Sequence, residues 1–362
     1  MNGTLFPFTH DYIVSPTPLR HFSRYVGPHA QSACDGYLIP KRMRENTAFL
    51  SLWLLRNTRK WLTIRPMISA FAITAFYKFF PIGKDDIQQL QTLLQAEGDR
   101  LAICGLLLLA PEGLNATVAG SPEAIAVFKE VIKQQAGDVI FKDSTAETKP
   151  FKRYKVKIRQ EIVSIGDTSN VPEDTLTHVT PDEWDAMIEK EDVLVIDTRN
   201  DYETAIGMFE KAIDPKLKTF QEFPEYVRTA DIPKTKKVMI YCTGGIRCEK
   251  AAVELQRQGY KNVYQLSGGI LKYLEEKAQS KFHGECFVFD HRVAVNEKLE
   301  PSNKYKLCPH CGDPGDQKIV CVECQKTAVI CKDCARQPEF HTCSKNCAHH
   351  TEKKIASSLS HA

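Results

Sequence analysis

Two side chains near the middle of the chain have the types and spacing for nucleophilic chemistry. Cys242 and Arg247 are separated by Thr243, Gly244, Gly245 and Ile246. The thiolate is the nucleophilic form of cysteine, and a thiolate near neutral pH needs a positive setting. Arg247 supplies a permanent charge. Gly244 and Gly245 let the backbone curl so that successive N–H groups point inward, a nest for an anion. Glu249 to Gln258 then reads as a helix closed by Gly259, so a positive helix end with unpaired N–H groups faces the same place. Such a setting lowers a thiol pKa and can hold the thiolate or an anion built on it. Cys248 follows closely; packing at the helix start is its expected role, and a resolving thiol is the alternative. A buried structural cysteine beside a chance Gly-Gly turn is the plainer explanation, but packing does not ask for the Cys–Gly–Gly–Arg order.

A second set of candidates lies near the end of the chain. Cys308-x-x-Cys311, Cys321-x-x-Cys324 and Cys331-x-x-Cys334 are followed by His341, Cys343 and Cys347. Each Cys-x-x-Cys turn presents two thiolates to one tetrahedral metal, and four ligands close a structural zinc site. Nine candidates predict two zinc ions and one spare residue. The first two pairs can form a ribbon, leaving the third pair with two of His341, Cys343 and Cys347. A cross-braced pairing is permitted equally, and a redox dithiol array is the alternative to metal. So small a segment, poor in apolar residues, needs such staples.

A third set is cationic. Around Lys152 and Arg153, a strand period puts Lys155, Lys157 and Arg159 on one face and Val156 and Ile158 on the other. With Phe151 and Tyr154 nearby, the row suits a nucleic-acid backbone and a stacked base. A solvated strand face is the alternative. Asp197 and Arg199 form a fourth, smaller group. They are expected to be structural, with Asp197 binding loop N–H groups or Arg247; general acid–base chemistry is the alternative.

The elements that must position these groups can be read outward from Cys242. Val238 to Tyr241 is a short apolar, β-favouring run, so the cysteine sits at the carboxyl end of a buried strand. Asp192 to Asp197 and Lys261 to Leu266 are further short strands, with helices between them, and Thr180-Pro-Asp-Glu opens a helix. Ser267-Gly-Gly269 starts another helix on a second Gly-Gly turn. Strands alternating with helices predict a parallel sheet over residues 178–280, which places a ligand site at the strand ends. Residues 70–168 read as β-α-β-β-α-β, the ferredoxin-like order. Its strands are expected at 72–80, 102–110, 116–119, 139–142 and 154–165. The predicted fold is therefore a multidomain α+β and α/β chain, with a Cys-rich segment over 283–347 and a disordered tail over 348–362.

Composition supports this division. Apolar residues make up 43% and charged residues 26%, which is ordinary for a globular protein. Residues 1–66 carry nine Lys and Arg against three Asp and Glu, and the rest carries 39 against 42. Binding of nucleic acid must then rely on a local patch. Eight of the thirteen cysteines fall in the last 55 residues, which argues for metal in a reducing compartment. No apolar run reaches the length of a membrane span. The stretch before Met67 is read as an extension ahead of the functional start, with a targeting segment as the alternative.

These motifs together resemble one family. They are Glu112-Gly-Leu-Asn-Ala-Thr-Val-Ala-Gly120, Val195-Ile-Asp-Thr-Arg-Asn-Asp-Tyr-Glu203, Glu222-Phe-Pro-Glu-Tyr-Val227, the Cys242 loop, and His283-Gly-Glu-Cys-Phe-Val-Phe-Asp-His-Arg-Val-Ala-Val295. The four-residue loop is similar to rhodanese domains, where cysteine carries a persulfide; tyrosine and dual-specificity phosphatases use five residues. The whole set, from about residue 70 to 311, resembles the rhodanese-domain tRNA uridine-34 hydroxylases. The resemblance implies an acylphosphatase-like (ferredoxin-like) first domain, a rhodanese second domain and a cytoplasmic tRNA-modifying oxidoreductase. It implies oxygen-dependent hydroxylation of the wobble uridine to 5-hydroxyuridine, with molecular oxygen as co-substrate, an unnamed reductant, and a Cys242 persulfide as the catalytic species. The extension before residue 67 and the richer cysteine tail depart from the family pattern. Two other functions fit parts of the chain: a thiosulfate or persulfide sulfurtransferase, and a non-catalytic interaction protein that binds through its zinc tail.

Overall fold

The structure is a computed structural model that describes residues 71–172, 176–189, 192–277 and 280–359. The extension over 1–66 and the start expected at Met67 lie outside the described residues. The first domain runs β1 (Phe71–Phe79), α1 (Lys84–Arg100), β2 (Cys104–Ala110), β3 (Gly113–Gly120), α2 (Pro122–Ala136), β4 (Lys142–Ala146) and β5 (Tyr154–Ile158). Its sheet order is β4-β1-β3-β2-β5. β3 runs antiparallel to β1 and β2, which gives the ferredoxin-like split βαβ. β5 adds a fifth strand parallel to β2. Ser121 caps α2 through a bond from the Ala124 N–H, 3.1 Å, with Pro122 in the first turn. One face of the sheet is sealed by Phe76, Leu94, Leu107, Leu109, Phe128 and Ile132.

Three strand positions differ from expectation. The third starts at Gly113 rather than 116, because Gly113, Leu114 and Asn115 already pair with Phe79, Lys78 and Tyr77. The fourth strand starts at Lys142 because its backbone pairs with Phe71–Ala75, while Phe141 packs edge-on against Phe76, 5.1 Å between ring centroids. The fifth ends at Ile158 rather than 165. Beyond it the buried carboxylates of Glu112 and Glu161 accept the N–H groups of Ile162, Ile165 and Gly166, so this stretch is fixed by side chains instead of a ladder.

The second domain runs β6 (Thr177–Val179), α3 (Pro181–Ile188), β7 (Val193–Asp197), α4 (Asp201–Thr204), β8 (Gly207–Phe209), α5 (Phe223–Thr229), β9 (Lys237–Tyr241), α6 (Ile246–Arg257), β10 (Asn262–Leu266) and α7 (Gly269–Glu276). Its sheet is β6-β10-β9-β7, and every pair is parallel. Thr180 and Glu183 form the capping box of α3. One face packs on Phe223, Val227 and Leu255, the other on Trp184, Ile270 and Tyr273. Helices on both faces explain why Val238–Tyr241 is apolar throughout.

A buried cation joins the domains. Lys250 of α6 is fully buried and lies 2.8 Å from Glu112 and 2.5 Å from Glu161. After α7 the chain adds a short strand, Phe282–Gly284, antiparallel to β8. The cysteine-rich segment follows, with a hairpin of Gln317–Val320 and Thr327–Ile330. The tail expected to be disordered from residue 348 continues the helix Lys345–Leu359. That helix is tied down by Thr351 and Lys354, which contact Glu323 at 3.4 and 2.7 Å. No described helix is long and apolar enough to cross a membrane.

Candidate active site and metal-binding clusters

β9 ends at Tyr241, so Cys242 is the first residue past the carboxyl end of a central strand. The chain then turns through Thr243 and Gly244 to Gly245, the N-cap of α6, which has φ of 100°. An L side chain rarely adopts that φ, so the turn into the helix requires glycine here. Gly244 has no such φ. The Gly245 N–H donates to the Cys242 sulfur at 3.0 Å, and the N–H groups of Arg247 and Cys248 also face it. Burial alone would push the Cys242 thiol up. The Cys248 thiol, the Arg247 charge and these N–H groups outweigh it and bring Cys242 down to about 5. Cys248 moves the other way, well above the usual thiol range, because it is buried beside that anion. Its sulfur lies 3.7 Å from Thr198 Oγ1.

The loop is braced from two sides. The α7 N-terminus donates to its carbonyls, Ile270 N–H to Cys242 at 3.0 Å and Leu271 N–H to Thr243 at 3.1 Å. Gly269, with φ of 68°, is the point of contact. A Cβ there would stand 2.5 Å from the Cys242 carbonyl and 2.8 Å from the Gly245 nitrogen. On the other side Arg247 is held by Glu203, fully buried, at 2.5 and 2.8 Å. Thr243 Oγ1 donates to the same carboxylate at 3.2 Å. Arg247 also lies against the exposed ring of Phe289, 5.9 Å from its centroid.

Asp197 does not meet the loop N–H groups or Arg247. It pairs with Arg199 at 2.7 Å, both side chains fully buried, and Arg199 also donates to the Gly207 carbonyl at 2.6 Å. This pair ties β7 to β8, away from the sulfur. The carboxylate beside the loop is Glu203, which sequence reasoning missed. The spacing Asn200-x-x-Glu203 is a capping-box signal that marks it, and Glu203 accepts the Asn200 N–H at 3.2 Å.

The first domain also reaches the loop. Lys142 of β4 donates to the Gly244 carbonyl, and its ammonium lies 5.0 Å from the centroid of Tyr77, a β1 residue. Tyr77 donates to Glu249 at 2.9 Å. Glu249 also takes bonds from His178 at 3.1 Å and Gln265 at 3.0 Å. No local signal marks Tyr77 or Lys142, because they meet the loop only through tertiary packing.

The cationic residues Lys152, Arg153, Lys155, Lys157 and Arg159 are all exposed, in and around the edge strand β5. The aromatic partners expected beside them are not available for stacking. Tyr154 is buried, with its hydroxyl on the Leu94 carbonyl at 3.0 Å. Phe151 is half-buried against Ile73, Cys104, Ala119 and Ala146.

The tail cysteines form two groups of four: Cys308, Cys311, Cys331 and Cys334, and Cys321, Cys324, Cys343 and Cys347. This is the cross-braced pairing, not the ribbon. Within each group the sulfurs lie within 4.8 Å of one another, with closest pairs at 3.4 Å. Four thiolates around zinc at about 2.3 Å span edges of about 3.8 Å, so each group fits a tetrahedral ion. His341 is the spare candidate. Its Nε2 bonds the Ala335 carbonyl at 2.8 Å, which takes it out of both groups.

Three family patterns match the chain. The UPF0176 acylphosphatase like domain covers 71–162, the rhodanese-like domain 180–276, and the rhodanase C-terminal pattern 283–348. Fold and site thus define a rhodanese-like protein with an acylphosphatase-like domain before it and a cysteine-rich one after it. A protein of Bdellovibrio bacteriovorus is 45% identical over 79% of this chain and 83% of its own. One from Picosynechococcus is 45% identical over 73% and 90%, and one from Synechocystis 48% over 68% and 89%. Each is named a tRNA uridine(34) hydroxylase. The chain belongs to the tRNA uridine(34) hydroxylase family.

Proposed function

We propose that this chain hydroxylates carbon 5 of uridine 34, the wobble position of tRNA, to give 5-hydroxyuridine, with Cys242 as the reactive residue. The observation that carries the reading is similarity over both main domains. A rhodanese-like domain alone would fit a sulfurtransferase equally well, but 83–90% of each relative's length is matched, and the first domain carries its own family pattern over 71–162.

Replacing C5–H by C5–OH is a two-electron oxidation. Dioxygen supplies the oxygen atom, and its second atom leaves as water with two electrons and two protons from a reductant. C5 is the nucleophilic carbon of uracil, so the oxygen must arrive as an electrophile. The chain's own contribution is positional. The loop amides and Arg247 hold Cys242, or a persulfide built on it, as an anion at the strand end. Glu203 fixes Arg247, and α7 fixes the loop. The exposed row Lys152, Arg153, Lys155, Lys157 and Arg159 neutralises tRNA phosphates, without aromatic stacking beside it. Each group of four cysteines holds a structural zinc, which folds the tail and takes no part in the chemistry. On this reading the protein works in the cytoplasm, where its tRNA substrate is and thiols stay reduced.

The test uses purified protein, unmodified tRNA, a reductant and air, with nucleosides read by mass spectrometry. Formation of 5-hydroxyuridine that Cys242→Ala abolishes supports the reading. Fast thiosulfate-dependent conversion of cyanide to thiocyanate, with unchanged tRNA nucleosides, selects the sulfurtransferase instead.

A further inference from the structure

We infer that Lys142, carried in by the first domain, is a positioning residue of the Cys242 site. Its ammonium anchors the cysteine loop and is a counter-charge to the anionic sulfur. The inference rests on the reading of Cys242 as the reactive group.

Lys142 opens β4, in a different domain from the sulfur. Its side chain donates to the carbonyl of Gly244, the residue between Thr243 and the N-cap. A Cβ on Gly244 would stand 3.7 Å from its nitrogen, and a Cβ on Gly245 would stand 3.0 Å from the Tyr77 hydroxyl. Two side chains of the first domain therefore close over the two loop glycines. Fixing the Gly244 carbonyl outward turns the following N–H, that of Gly245, toward the sulfur. This is the N–H that meets Cys242 at 3.0 Å.

Charge gives the second argument. Lys142 is half-buried, and an ammonium drawn even partly out of water is costly unless it is paired. Among the described residues no carboxylate lies at ion-pairing distance from Lys142; what it touches is one carbonyl and one aromatic face. Burial lowers its pKa, and the negative charge of Cys242 opposes that most, ahead of Glu249 and Cys248, while Lys272 adds to the lowering. Around the sulfur itself the charged and titratable neighbours include Arg247 and Cys248 on α6, Lys142 on β4 and Tyr77 on β1. Arg247 is already committed to Glu203. Lys142 is, among the described residues, a cation at the loop with no carboxylate at ion-pairing distance, Glu249 acting on it only from farther off. The sulfur's reactivity is thereby tied to seating of the domain that carries the exposed cationic row.

The test reads the thiolate directly, by its ultraviolet absorbance across pH. The signal is the difference between each full-length protein and its Cys242→Ser counterpart, so reagent access to the buried sulfur does not matter. Lys142→Gln removes the charge and Lys142→Arg keeps it. The titration midpoint of Cys242 is expected to rise by about one unit or more in Lys142→Gln and to stay near wild type in Lys142→Arg. Hydroxylation turnover should follow the same order while tRNA affinity changes less than about twofold, because the cationic row is intact. An unchanged midpoint in Lys142→Gln overturns the proposal, as does an equal shift in both variants, which would mean packing and not charge. A wild-type midpoint in the ordinary thiol range overturns the reading of Cys242 itself, a result separable from the other two. Thermal melts verify folding, and Lys142→Met replaces Lys142→Gln if the latter melts below the assay temperature.

Discussion

A Glu203→Gln variant removes one charge and almost no volume. Glu203 is fully buried and accepts bonds from Arg247 at 2.5 and 2.8 Å, Thr243 at 3.2 Å and the Asn200 N–H at 3.2 Å. The amide offers one accepting oxygen and turns two N–H donors toward a guanidinium that can only donate. Arg247, 7% exposed, then keeps a charge opposed only by the Cys242 thiolate, with its two carboxylate bonds lost. Breaking a buried ion pair from one side costs about 3–5 kcal/mol. At about 4–8 °C per kcal/mol for a domain of this size, the melting of the second domain falls by roughly 12–40 °C. At the sulfur the sign is opposite. A carboxylate nearby disfavours a thiolate and Arg247 favours it, so losing Glu203 leaves Cys242 titrating at or below about 5, where the wild type stands. Calorimetry and the thiolate absorbance titration check the two halves separately. A stability loss under about 1 kcal/mol, as for an exposed pair, or a Cys242 midpoint that moves up, refutes this account of the loop.

The two glycine turns predict opposite tolerance. Gly269→Ala forces a Cβ to within 2.8 Å of three backbone atoms of the cysteine loop and should abolish activity and lower the melting point sharply. Gly244→Ala meets only the end of Lys142 at 3.7 Å and should retain most of both, as activity and melting assays would show. Lys155→Glu with Lys157→Glu should weaken tRNA binding and flatten its salt dependence by roughly two units of log–log slope, read by filter binding at several salt concentrations. Elemental analysis of the full chain should find two zinc ions. Cys308→Ser with Cys311→Ser should leave about one and lower the tail's resistance to protease.

The strand, cysteine, loop and helix of the site are legible because each is a local pattern. Val238–Tyr241 is apolar without alternation, two glycines follow, and good helix formers start at once. The same logic expects a carboxylate beside the loop but points to Asp197. Both Asp197 and Glu203 follow or end β7, and only the packing of α4 against the loop decides which one reaches Arg247. Strand parity already tells against Tyr154 as a stacking platform, since it shares the face of Val156, which is buried. The Cys-x-x-Cys pairs announce two metal groups, but the pairing depends on how the hairpin from Gln317 to Ile330 crosses the segment, and ligand spacing is silent on that. Tyr77 and Lys142 lie more than 100 residues before Glu249 and Gly244. Nothing in their local sequence differs from an ordinary strand, so only the docking of the two domains reveals them.

The measurement that bears most directly on the central claim is incubation of the purified full chain with unmodified tRNA and a reductant under heavy-isotope dioxygen. Nucleosides are then resolved by mass spectrometry. The isotope separates hydroxylation from thiolation, which add nearly the same mass. The account predicts heavy oxygen in 5-hydroxyuridine from position 34, and none with Cys242→Ala. A modified uridine carrying sulfur, or heavy oxygen incorporated equally by Cys242→Ala, would contradict it.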